Sequence, residues 1–390
     1  MKNKMTNFKR FAVYIALAPL PLSAADPDRI QPYPKNPHYW QYKQTPVLLL
    51  GGSVEDNLFQ IPNLVEHLDL LRSVGGNYVR STMSWRDPGD ANPFAKKGDK
   101  FDLDAFNPEF FKRFETFLAE TAKRDIIVQI ELWATFDYYQ DRWRDLNAFN
   151  PQNNVNYTAQ ESRLPIKVDS HPVAAQNDFF RSVPADMNNP LVLKYQQRFI
   201  TEILSHSLKY NHVLYAMDNE TAVTPKWPTY WSAFIKDLAA KQGKTIETTE
   251  MWDNWDVRAD VHRNTIDHPE TYSFIDISQN NHQKGQAHYD NPQVVRNRIK
   301  QTPRPINSIK IYGADGGRFG STRDGVERFW RNIFGGFAAA RFHRPDSGIG
   351  LNETAQRMIR SARTVTTAID LFACTPRNDL LTDRDANEAY

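Results

Sequence analysis

The chain of 390 residues has a single cysteine, Cys374, so no intrachain disulfide can form. A chain this long can instead rely on a large buried core. It also lacks a charge bias: 48 lysines and arginines stand against 46 aspartates and glutamates, a formal net charge of +2. Bulk charge therefore gives no reason to expect nucleic acid or a membrane surface as partner. Beyond residue 25 no stretch is apolar enough to cross a bilayer. Nucleotide and metal signatures are missing too. Gly51-Gly52-Ser53 after the first candidate strand is no G-x-G-x-x-G, and Gly316-Gly317-Arg318-Phe319-Gly320 is a tight turn rather than a Walker loop. His262 and His268, like His282 and His288, are six apart in loops, without H-E-x-x-H or paired cysteines. No metal and no cofactor are expected.

What is present begins with an export pattern. Lys2, Lys4, Lys9 and Arg10 precede an apolar run over 11–22, broken by Pro19 and Pro21, and then Ser23-Ala24-Ala25. This predicts a signal peptide cleaved near Ala25, hence a periplasmic or secreted protein with no membrane insertion in the mature chain. Residues 26–46 read as a polar, proline-rich lead-in that ends in a small hairpin or collar.

From residue 47 onward short apolar runs alternate with helical periodicity. Strands are expected at 47–50, 77–80, 126–132, 212–218, 245–251, 272–278, 306–312 and 336–342. Helices are expected at 62–73, 106–123, 189–210, 229–242 and 352–372, and around Val294 and Val326. Apart from insertions after the second and third strands, the spacing is that of one βα unit. Eight units predict an α/β fold, a (β/α)8 TIM barrel over 47–373, rather than an open doubly wound sheet. Ser53-Val54-Glu55-Asp56 reads as a capping box for the first helix. The insertion over 138–188, rich in Asn, Gln, Asp and Pro, is long enough to be a wall or lid. Residues 374–390 form a tail whose last part, from 375, has no periodicity.

In such a barrel, polar residues at the C-terminal ends of strands face the active site. The most informative are Asn219-Glu220, at the abrupt end of the apolar run Val213-Leu214-Tyr215-Ala216-Met217. Around them stand Arg80 on the second strand and Glu131, Trp133 and Asp137 on the third; the fifth adds Glu250, Trp252 and Asp253, and the sixth Gln279, Asn280 and Asn281. The seventh adds Lys310, Tyr312 and Asp315, and the eighth Arg341 and His343. Carboxylates, amides and aromatic faces together suit glycosidic-bond hydrolysis: two carboxyl groups for the chemistry, amides and arginines for hydroxyls, flat rings for sugars.

The barrel pattern with Arg80 and Asn219-Glu220 resembles the large clan of (β/α)8 glycoside hydrolases with a catalytic glutamate on strand four. The resemblance implies Glu220 as general acid/base and Asn219 as ligand of the hydroxyl beside the reacting carbon. The tail, with Asn387-Glu388-Ala389-Tyr390, resembles the entry to the β-sandwich that often follows such barrels. The clan's nucleophile is a glutamate at the end of strand seven, where this chain has Ile309-Lys310-Ile311-Tyr312-Gly313. The second carboxylate is then Asp315, Glu250 or Glu131, or the site is not hydrolytic. Glu131 and Glu250 also read as partners of Arg80 or Lys310, and Trp133, Trp252 and Trp255 as either sugar platforms or core. Burial is expected to raise the pKa of Glu220 and keep it protonated as an acid. Lys310, Arg318, Arg323, Arg341 and Arg344 suggest a carboxylated or sulfated glycan. The expected partner is thus a carbohydrate, cleaved at its glycosidic bonds. Alternatives are a carbohydrate-binding barrel without hydrolysis, and a uronate eliminase with Tyr312 or Lys310 as base.

Overall fold

The computed structural model of the protein describes residues 26–171, 177–315, 318–377 and 380. The expected signal peptide, Gly316-Gly317 and the end of the tail lie outside the described residues.

Eight parallel strands form one sheet: β1 (Leu49–Gly52), β2 (Tyr78–Thr82), β3 (Ile127–Ala134), β4 (Val213–Asn219), β5 (Thr248–Thr249), β6 (Ile275–Asp276), β7 (Ile306–Ile311) and β8 (Ala339–Phe342). Their order is β5-β4-β3-β2-β1-β8-β7-β6. The ring closes between β5 and β6 without a regular ladder. There the Thr248 N–H donates to Ser273 Oγ at 2.9 Å, and the Thr249 hydroxyl donates to the Phe274 carbonyl at 2.8 Å. Strands five and six are accordingly two residues each rather than the seven expected, because along this joint hydroxyl bonds accompany a single long backbone bond, Phe274 N–H to the Thr248 carbonyl at 3.4 Å. The helices that follow the strands in turn are α1 (Leu64–Ser73), α2 (Pro108–Lys123), α3 (Pro190–Ser207), α4 (Lys226–Ala240), α5 (Arg263–Ile266), α6 (Gly285–Arg298), α7 (Thr322–Phe334) and α8 (Glu353–Ala368). The architecture is the (β/α)8 barrel that the periodicity predicts.

Local chemistry sets the boundaries. Asn107 caps α2 by accepting from the Glu109 N–H at 3.1 Å, Pro108 opens it, and Phe110, Phe111, Phe114 and Phe117 form its buried face. Helix α4 starts at Lys226, earlier than its periodicity suggests, because Pro228 is tolerated in a first turn and Trp227 packs inward. A Cβ on Gly51 would collide with the Tyr78 carbonyl, so glycine is what lets β1 lie against β2. Two expectations are corrected at the start of the barrel. Ser53–Asp56 caps nothing, since α1 begins only at Leu64 and Asp56 is held by Arg80 instead. The expected small hairpin, Trp40–Tyr42 with Thr45–Val47, is present, but the lead-in before it is not merely a lead-in: Gln31–Pro32 adds a third strand and makes an antiparallel collar. From it the Trp40 Nε1–H donates to Asn307 Oδ1 at 2.9 Å, tying the collar to β7.

Polar side chains run through the strands as well. The Tyr78 hydroxyl donates to Gln129 Oε1 at 2.7 Å, and the Gln129 amide donates to Asp276 Oδ2 at 3.3 Å. Outside this network, the insertion after β3 packs an aromatic cluster around Trp133, whose ring lies 5.2–6.4 Å from Tyr138, Phe149, Phe179, Phe199, Trp227 and Trp231. Trp133 is therefore core and not the sugar contact suggested by its place at a strand end. Trp133→Ala should cost ~3–5 kcal/mol of stability. Denaturant unfolding measures it, and a loss below about 1 kcal/mol would mean that the insertion is held by something else.

Candidate active site

The C-terminal mouth of the barrel holds a cavity of about 540 Å³. Its walls come from the loops after β1 (Asp56), β2 (Arg86, Asp87), β3 (Phe136, Arg142, His171), β5 (Asp253, Trp255), β6 (Gln279, His282), β7 (Tyr312, Arg318, Phe319) and β8 (His343, Arg344, Asp346). Asn219, Glu220, Lys310 and, beside Asp346, Ser347 complete the lining.

Glu220 follows the last residue of β4 in a left-handed backbone conformation, φ 64°. Such strain in a non-glycine residue collects at functional sites. Neighbouring bonds hold it: the Thr135 hydroxyl donates to the Asn219 carbonyl at 2.6 Å, and the Thr221 N–H donates to the Met251 carbonyl at 2.8 Å. That second bond continues the β4–β5 pairing past the strands, and the Asp253 N–H returns it to the Thr221 carbonyl at 2.8 Å. The same backbone connection thus brings Asp253 to the cavity beside Glu220.

Lys310, on β7, reaches across the barrel mouth. Its Nζ donates to Glu220 Oε1 at 2.7 Å and to Asn219 Oδ1 at 2.5 Å, and the ammonium is buried. Burial pushes the Glu220 carboxyl up, but the Lys310 charge and hydrogen bond, with help from the nearby Gln279 amide and Arg80, bring it below its ordinary value. This corrects the expectation of a raised pKa: Glu220 is the ionised carboxylate of the site. Asp253 goes the other way. Burial and the charge of Glu220 raise it, against smaller opposing effects of His171 and Lys310. His171, from the long insertion, places Nε2 3.4 Å from Asp253 Oδ2.

Other residues singled out in the sequence lie behind these walls or away from them. Asp315 is exposed and accepts from the Thr322 N–H at 3.2 Å and its hydroxyl at 2.5 Å, so it does not reach back to the cavity. Glu250 is buried beneath the mouth, where it accepts from the Thr221 hydroxyl; burial and Asp218 push it well above its usual range. Glu131 meets Arg80 in a two-pronged pair at 2.8 and 2.6 Å, and the remaining Arg80 nitrogen binds Asp56. Trp252 donates to Thr265 Oγ1 at 2.8 Å, and Asn280 to the His288 carbonyl at 2.8 Å; both are buried. Arg341 donates to the Ile309 carbonyl at 2.6 Å and to Ser53, and Arg323 is exposed on α7 against Glu327 at 2.8 Å. Apart from Asp56 none of these lines the cavity, whereas Asn219, Glu220, Lys310, Tyr312 and Arg318 do. Burial pushes the Tyr312 phenol well above its ordinary pKa, which opposes a role as base near neutrality. Arg142 and His171 also line the cavity, unmarked in the sequence because nothing in a polar insertion shows which side chains fold back. Among the described residues no group of three or more metal-ligating side chains comes together, and no helix is long and apolar enough to cross a membrane.

No family model matches the chain, and no curated protein matches its sequence. Solved structures do match in fold. A Glycoside Hydrolase Family 5 mannosidase from Rhizomucor miehei aligns with a TM-score of 0.62 and 12% identity, over 90% of this chain and 99% of that one. An endo-1,4-β-mannanase from the same organism gives 0.56 and 12%, over 87% and 99%. An endo-β-1,4-mannanase from Thermotoga petrophila gives 0.51 and 10%, over 82% and 77%. At such identities the likeness shows the barrel and nothing finer.

The Lys310–Glu220 pair has a direct test. Lys310→Met removes the cation that lowers Glu220, so its titration should move upward past the ordinary glutamate value. Carboxyl ¹³C NMR of labelled glutamate, with Glu220→Gln to assign the resonance, reads the shift; an unmoved titration would deny Lys310 this control.

Proposed function

We propose that the protein is a glycoside hydrolase in which Glu220 and Asp253 are the working carboxylates. The observation that carries this reading is their joint presence in one cavity with opposite perturbations, one lowered and one raised. Such divergence separates a base or nucleophile from an acid. Asp253, protonated, donates to the glycosidic oxygen; Glu220, ionised, attacks the sugar carbon or activates water. Asn219 and Gln279 offer amides to sugar hydroxyls, and the fold shared with mannosidases and mannanases agrees with a carbohydrate substrate. The export pattern at the N-terminus favours a glycan met in the periplasm or outside the cell.

The mature chain should release new reducing ends from a member of a panel of neutral, uronic and sulfated glycans. Glu220→Gln and Asp253→Asn should each lower that release about 10²-fold or more. Asp253→Asn should be less damaging on an aryl glycoside whose leaving group needs no proton. Full activity in both variants would remove these residues from the chemistry.

One observation favours a second reading. A lysine stands on β7 where the resembling clan has its nucleophile, and it neutralises Glu220, which suits a barrel that binds glycans without cleaving them. Binding without product from any panel member would decide for it. An ultraviolet-absorbing unsaturated product would instead mark elimination.

A negatively charged glycan is the finer proposal. Arg86 and Arg344 already face carboxylates. Arg142 and Arg318 also line the cavity but have no carboxylate partner among the described residues; they lie over Tyr139 and Phe319 at 5.7 and 4.5 Å. Two unneutralised guanidiniums suit a carboxylate or sulfate on the sugar. Replacing both by alanine should lower kcat/KM on charged glycans about tenfold more than on neutral ones; an equal loss on both would remove the preference.

A further inference from the structure

All nine tryptophans lie among the described residues, and Trp255 alone is exposed, at 52%. It lines the same cavity as Glu220 and Asp253. Its indole is not loose: the His282 ring stacks on it at 4.2 Å and 10°, and His282 is itself braced by Tyr312 at 4.8 Å and Phe319 at 5.6 Å. Burial, outweighing the attraction of Glu220, lowers the His282 pKa to about 4, so the ring beneath the indole is neutral near pH 7. With one face covered by an imidazole, what remains open is the other face and edge of a large flat ring. No other exposed large hydrophobic side chain among the described residues lines this cavity. The patch is too small for a protein partner and has the form of a single aromatic plate.

We infer that Trp255 is a binding platform for a second sugar, the one that leaves when the glycosidic bond breaks. The inference rests on the hydrolytic reading of Glu220 and Asp253 for the direction it assigns. A proton donor sits over the glycosidic oxygen, and that oxygen belongs to the leaving sugar after cleavage. Trp255 follows Asp253 by two residues on the same β5 loop and lines the same cavity, which assigns it, with the proton donor, to the departing unit. The ligand class is a pyranose, whose C–H face is apolar enough to lie on indole while its hydroxyls remain in water. Because His282 fixes the plate beforehand, little side-chain freedom is lost when the sugar docks. The cavity volume is that of a small-molecule site, which suits a few sugar units rather than a long segment of polymer.

The test compares two substrates of the same sugar, one with a second pyranose as leaving group and one with an aryl group. Trp255→Ala should lower the ratio of kcat/KM, pyranose-leaving over aryl-leaving, about tenfold, with Trp255→Phe in between. An unchanged ratio overturns the platform. A second arm needs no turnover. In the Glu220→Gln protein, titration with a disaccharide should shift the red-edge tryptophan emission to the blue, and Trp255→Phe should abolish that shift. A protein that hydrolyses nothing yet shows the Trp255-dependent shift retains the platform and loses the hydrolytic reading. Hydrolysis without any Trp255-dependent signal retains hydrolysis and removes the platform, and silence in both arms removes both.

Discussion

A guanidinium that does not meet water sits under the mouth of this barrel. Arg80 is fully buried on β2, and a buried unpaired charge is among the costliest features a fold can carry. Two carboxylates answer it: Glu131 from the adjacent β3, and Asp56 from the loop after β1. The second ties the structure together more widely, because Asp56 also meets Arg86 at 3.0 Å and Arg344 at 3.4 Å. Loops after β1, β2 and β8 are thereby joined by one acid. Despite its burial, those cations hold Asp56 well below the usual carboxylate range, so the knot stays charged and forms one side of the cavity.

Elsewhere around the mouth the same demand for neutrality is met by Lys310 and Glu220. Their pairing holds the Glu220 carboxyl below its ordinary pKa, while burial and the charge of Glu220 raise that of the neighbouring Asp253. The two clusters therefore differ in kind: the Arg80 knot is saturated and structural, whereas Glu220 and Asp253 retain access to the cavity. Strand seven contributes a cation to this arrangement where a carboxylate stands in the clan that the sequence resembles, and the carboxylate beside Glu220 comes instead from the loop after β5.

The barrel was legible because eight apolar runs separated by amphipathic segments have few other solutions, and Asn219-Glu220 was legible because a buried strand ends there in charge. The polar residues on the strands were ambiguous for a physical reason. A residue at a strand end can rise into the mouth or sit below it, and the sequence looks alike in both cases. Arg80, Glu131, Glu250 and Arg341 took the lower position, where they satisfy one another or the backbone. Asp315, a candidate because it follows strand seven, is held outside the cavity by Thr322 at the start of α7. His171 and Arg142 come from an insertion whose folding depends on aromatic packing around Trp133, a long-range fact with no local signature.

The joint between β5 and β6 gives this site an uneven stiffness. Strands β3 and β4 share a ladder that runs from Val128 and Val213 to Ala134 and Asn219, so Glu220 is mounted on a rigid rail. The loop that carries Asp253 and Trp255 follows only two residues of β5; Asp253 is tied back to the Thr221 carbonyl, while on the far side hydroxyl bonds and one long backbone bond stand in place of a ladder. Load applied to the cavity is taken up first where the fewest backbone bonds resist it. Glu220 therefore stands on the stiff part of the rim, and the β5 loop beyond Asp253, which carries Trp255, on the part that gives.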